Sequence, residues 1–114
     1  HMIEHSMSAI SDVPHGAGLS VIMPAWMQWY QSQRPAQFKR FAKEIFGLDK
    51  AEDGIQALKA WFDQIGTPTR LEQLGIDDKT LAEIIENAAQ TAIRAKVEKT
   101  YTKEAIEAIF ALAK

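Results

Sequence analysis

Leu19-Ser20-Val21-Ile22-Met23-Pro24-Ala25-Trp26-Met27-Gln28-Trp29-Tyr30-Gln31 is a largely apolar run in a chain of 114 residues. It has the length of a helix, and its apolar residues do not alternate with polar ones, which predicts a buried helix. Pro24 lies inside it, removes one backbone hydrogen bond and predicts a kink. Trp26, Trp29 and Tyr30 read as core and interface aromatics in the first place and as the lining of a pocket in the second.

Toward the C-terminus the spacing of apolar residues stays helical. Ser32-Gln33-Arg34-Pro35 is a connector, with Pro35 suited to a first helical turn. Phe38, Phe41, Ala42 and Ile45 then define one face, closed by Gly47. Asp49-Lys50-Ala51-Glu52 has the pattern of a capping box. It precedes a helix with Ile55, Leu58, Trp61, Phe62 and Ile65 on one face, weakened early by Gly54 and stopped by Gly66. Thr69-Arg70-Leu71-Glu72 repeats the capping pattern, but Gly75 follows too soon for more than a short helix. Asp77 is a cap for a long segment carrying Leu81, Ile84, Ile85, Ala88, Ala92 and Ile93. Thr102 caps a last helix with Ile106, Ile109, Phe110 and Ala113 inward. No stretch alternates with period two, so the expectation is one all-α domain over residues 1–114, a bundle of five to six helices with short loops.

Toward the N-terminus lie Gly16-Ala17-Gly18, which allow close approach of other backbone, and the breaker Ser11-Asp12-Val13-Pro14. Before it, residues 1–10 have neither Gly nor Pro and suit a helix. All three histidines, His1, His5 and His15, fall in this region. On a helix His1 and His5 project from one face, one turn apart. Pro14-His15-Gly16 places a third imidazole at a helix entrance, where the positive helix end favours the neutral, ligating form. Such a trio suits part of a metal or proton-transfer site, and it is too small to complete one. Glu4 points about 100° from His5 on a helix and is expected to be solvated or paired. His1-Met2 is also what tag removal leaves behind. The chain opens inside an amphipathic pattern with no cap, as a piece of something longer would.

Composition excludes several classes. Hydrophobic content of 46%, charged content of 25% and a net charge of −2 describe an ordinary globular domain, with no signature of nucleic-acid or acidic-lipid binding. There is no cysteine, which removes thiolate catalysis and Cys-based zinc sites and fits a reducing, cytoplasmic setting. No apolar run reaches the roughly 20 residues of a membrane span. No phosphate loop or nucleophile elbow is present.

His1-x-x-x-His5, nine residues, then His15-Gly16 and an apolar helix with an internal Pro24 resembles the metal-binding signature of iron-containing (group III) alcohol dehydrogenases, in the butanol-dehydrogenase-like variant. Thr69–Ile76 and Thr102–Ile106 resemble that family's later segments, so the likeness runs along the whole chain. The resemblance implies the C-terminal helical domain of a dehydroquinate synthase-like, iron alcohol dehydrogenase fold, truncated on its N-terminal side, with the nucleotide-binding domain as its missing partner. It implies His1 and His15 as two of four ligands of a divalent metal, Fe2+ or Zn2+. It implies His5 as a catalytic residue beside the nicotinamide of NAD(P)H, with a small alcohol or aldehyde as substrate. The match at position 1 favours a native His1. With two ligands and the cofactor domain absent, the 114-residue chain alone is expected to be inactive and to bind metal weakly or not at all.

The residues by themselves also fit a free-standing helical interaction domain with non-catalytic histidines. In that reading an apolar surface around Met23, Trp26 and Met27, uncovered by loss of the partner domain, would favour self-association of the isolated chain.

Overall fold

The apolar run quoted above sits inside a continuous helix from His15 to Tyr30, which carries Pro24 without a break. The computed structural model describes residues 1–114. Six α-helices follow one another: α1 (Met2–Ser11), α2 (His15–Tyr30), α3 (Pro35–Phe46), α4 (Ala51–Gln64), α5 (Asp78–Arg94) and α6 (Lys103–Leu112). Single 3-10 turns occupy Gln31–Gln33 and Leu71–Leu74, and there is no strand. The all-α reading and the helix count are as the spacing predicts.

Several ends form as their residues dictate. Pro35 opens α3. Gly47 closes it at φ 66, a conformation that costs other residues more, with Gly47 N–H donating to Lys43 and Leu48 N–H to Ala42. The Asp77 side chain accepts from Thr80 N–H at 2.7 Å, and this bond holds the Asp77 carboxyl below its ordinary value. Thr102 accepts from Ala105 N–H at 3.1 Å at the start of α6.

The two capping boxes form differently from expectation. Lys50, the residue before α4, makes no side-chain cap. Glu52 instead turns to α2 and accepts from Gln28 Nε2 at 2.8 Å and Gln31 Nε2 at 2.5 Å. Partial burial pushes its carboxyl up, but the amides of Gln56, Gln31 and Gln28 outweigh this and leave it below its ordinary value. At the second box it is Gln73, not Glu72, that reaches back, accepting from the N–H groups of Thr69 and Arg70 at 2.9 Å each.

The main core lies among α1, α2, α5 and α6, around Met7, Val21, Ile84, Ile106, Ile109 and Phe110. A smaller one holds Met27, Phe38 and Ile55, where the α3–α4 hairpin meets α2. Four residues expected inside are largely outside: Ile45, Trp61, Ile65 and Ile93. Their spacing places them on the correct stripe, but no neighbouring helix covers that end of it. The expected Met23–Trp26–Met27 surface is likewise reduced, because Met27 is buried in the smaller core while Met23 stays exposed. No helix is long and apolar enough to cross a membrane.

Candidate metal centre

α1 has no breaker until Asp12, which takes a left-handed φ of 55 and returns its N–H to Ser8. Val13 and Pro14 then reverse the chain, so that α2 starts at His15 beside the first turns of α1. This hairpin brings the three histidines together. The His15 ring lies 5.4 Å from that of His1 and 5.2 Å from that of His5, centroid to centroid. All three side chains are exposed. They form one open face at the α1–α2 corner.

Beneath that face is Glu4. It is completely buried, which corrects the expectation of a solvated carboxylate and leaves the paired alternative. Its Oε2 is hydrogen-bonded to His15 Nδ1. Its Oε1 lies 2.5 Å from Ser8 Oγ. Ser8 Oγ in turn lies 2.8 Å from the Val13 carbonyl, so its one proton is shared between two acceptors. Gly18 makes the room: a Cβ there would collide with the Glu4 side chain. The small residue at 18 therefore admits a carboxylate, not the backbone that Gly16-Ala17-Gly18 was expected to admit.

No group of three or more His, Cys, Asp or Glu side chains could hold a metal ion unaided. The donor chemistry nevertheless fits a divalent metal in part. Imidazole is a common ligand for Fe2+ and Zn2+, and a ligating histidine that donates its second ring N–H to a carboxylate is the usual arrangement behind one.

Next to His1 lies an apolar hollow of about 600 Å³, lined among others by Leu19, Ile22, Met23, Trp26 and Tyr101. Trp26 Nε1–H donates to Tyr101 Oη at 2.9 Å, and Trp26 stacks on Tyr30 at 5.0 Å. Trp26 thus serves both readings of the aromatics, as a packed side chain and as pocket wall.

Residues 1–113 match the family described as Fe-containing alcohol dehydrogenase family, C-terminal. The chain belongs to the Fe-containing alcohol dehydrogenase family. It is similar to the probable NADH-dependent butanol dehydrogenase 1 of Bacillus subtilis, 35% identical over 96 residues that cover 77% of this chain and 25% of that protein. It is also similar to NADH-dependent butanol dehydrogenase B of Clostridium acetobutylicum, at 31% identity over 90 residues, or 71% of this chain and 23% of the relative. The crystal structure of NADH-dependent butanol dehydrogenase A from Thermotoga maritima superimposes with a TM-score of 0.86 at 36% identity, over 99% of this chain and 32% of that one. The chain therefore spans about a quarter of the length of these curated relatives. At this corner the sequence pattern marks the three histidines, while Glu4, Ser8 and Gly18 come together as a unit only in the fold. The i, i+4 spacing of Glu4 and Ser8 was the available signal.

Proposed function

We propose that this chain is the metal-side helical part of an NAD(P)H-dependent alcohol/aldehyde oxidoreductase of the butanol dehydrogenase type. His1 and His15 are two of the ligands of its divalent metal. His5 is the catalytic neighbour that lies against the nicotinamide. The nucleotide-binding domain and the other ligands belong to parts of the enzyme outside these 114 residues. The observation that carries this reading is the gathering of three exposed imidazoles on one face over a buried carboxylate, in a chain of this family.

Each residue has a task that its position suits. His1 stands at the start of α1 and His15 at the start of α2, so the α1–α2 hairpin sets the distance between the two imidazoles. The metal, when bound, supplies Lewis acidity at the oxygen of the alcohol or aldehyde. A nicotinamide held by the nucleotide-binding domain would supply or accept hydride chemistry. His5 is one turn along α1 from His1 and open to solvent. In this reading it delivers the proton that the reduced oxygen needs and recovers it from water. The apolar hollow beside His1 keeps one side of this region dry and suits a short aliphatic chain.

The full-length enzyme tests the three roles separately. His1→Ala and His15→Ala each lower bound iron or zinc, measured by elemental analysis, and lose NAD(P)H-dependent butanal reduction. His5→Ala keeps its metal and loses turnover. Full metal content in His15→Ala would overturn the ligand assignment, and wild-type turnover in His5→Ala the proton-transfer one. The 114-residue chain alone gives no NAD(P)H-dependent butanal reduction.

A further inference from the structure

Glu4 needs a reason to exist. A fully buried carboxyl is costly unless it is paired and hydrogen-bonded, and an apolar residue would fill the α1–α2 contact without that cost. No lysine or arginine approaches it; its one ionic partner is His15. The surroundings are nevertheless arranged to keep it. Ser8 is within hydrogen-bond distance of one carboxyl oxygen, His15 of the other, and Gly18 has no side chain where the carboxyl lies. Three residues on two helices thus accommodate one acid, and the acid touches nothing reactive except one imidazole.

The consequence for that imidazole is specific. His15 is half-exposed, 46% of its side chain, while Glu4 is 0% exposed. The ring therefore has a buried edge and an open one. Glu4 occupies the buried edge at Nδ1, where an ionised carboxyl can only accept. That requires the proton on Nδ1 and, in the neutral ring, leaves the Nε2 lone pair free, with the His1 and His5 rings 5.4 and 5.2 Å from the His15 ring. We infer that Glu4 is a positioning residue: its carboxylate fixes the Nδ1–H tautomer and the orientation of His15, so that Nε2 is presented to a divalent cation at the α1–α2 corner. Ser8 and Gly18 hold Glu4 in that place, the first by its hydroxyl and the second by its missing side chain. The tautomer claim rests on the geometry alone, and the cation claim rests on the assignment of His15 as a ligand.

A buried acid whose role is only to pack would leave the His15 tautomer indifferent to its removal. The test therefore uses the chain with 15N-labelled histidine. Without metal, the ring nitrogens of wild-type His15 show Nδ1 protonated and Nε2 bare. In Glu4→Ala, checked for folding by circular dichroism, the proton moves to Nε2, the form preferred by free histidine. Zinc titration followed at His15 then gives an affinity weaker by about 10–100-fold, the usual effect of removing such a supporting group. Glu4→Gln keeps the shape of the side chain without its charge, and its zinc affinity falls between the two. A folded Glu4→Ala that retains Nδ1–H, or binds zinc as the wild type does, overturns the inference. Should Glu4→Ala not fold, wild-type zinc affinity in Glu4→Gln overturns it. If wild-type His15 has the stated tautomer but does not respond to zinc, the ligand assignment fails while the tautomer claim stands.

Discussion

The α3–α4 hairpin and the bundle of α1, α2, α5 and α6 are written with similar apolar spacing, yet they bury it to different extents. In α6, Ile106, Ile109 and Phe110 are all 0% exposed. In α3 and α4 only Phe38, Ala42, Gly54 and Ile55 are buried, while Ile45 and Ile65 at the hairpin's outer ends are more than half exposed. α6 lies against both α2 and α5, whereas α3 and α4 pack mainly on each other and meet α2 along one edge. Spacing decides which residues share a stripe. Whether the stripe is covered depends on how many neighbours reach it, and the bundle has more of them than the hairpin.

The largest effect that tests this contrast is expected at Phe110. Phe110→Ala removes the largest fully buried side chain of the main core and costs about 3–5 kcal/mol in urea unfolding. A cost near 1 kcal/mol would mean that the core can collapse around the loss. A smaller effect is expected where the hairpin is tightest. A Cβ at Gly54 would fall on Ala42, 2.7 Å from its Cα. Gly54→Ala therefore gains about 1 kcal/mol in helix propensity and loses roughly 1–3 kcal/mol to overpacking, a net destabilisation in the same assay. A more stable variant would show that the two helices are free to separate.

Glu52 ties the two regions together through Gln28 of α2 and Gln31 of the turn that follows it. Because its folded carboxyl titrates below the ordinary 4.5, its contribution is full above that pH and fades as the pH falls through the lower, folded value. Wild type should exceed Glu52→Gln in stability at pH 7, with the difference shrinking below pH 4.5. A difference that does not change with pH would show that the amide cluster does not depend on the charge. The smallest effect belongs to the uncovered ends. Ile45→Ser and Ile65→Ser stay within about 0.5 kcal/mol of wild type. A loss of 2 kcal/mol or more at either position would mean that it is covered in solution.

The fold was largely legible because its signals are local. Apolar spacing, Pro35, Gly47, Asp77 and Thr102 each act within a turn or two of chain. What escaped depends on contacts between elements. Ile93 and Trp61 sit on apolar stripes that no neighbour covers. Glu52 matches a capping box, yet its carboxylate finds better donors on α2. The same division holds at the corner of α1 and α2. His1 and His5 are paired by their own helix, and His15 is marked by the Pro14 step before it. Glu4, judged by its helix alone, points away from His5, and only the reversal at Asp12 brings His15 round to meet it.

The most direct measurement of the central claim is a zinc titration of the 114-residue chain, followed at the ring nitrogens of all three histidines. Signals of His1 and His15 should move together, with one shared and weak affinity, while those of His5 move little. Joint movement of His5 and His1 with His15 unaffected, or tight one-to-one binding of the kind a complete ligand set gives, would contradict the account.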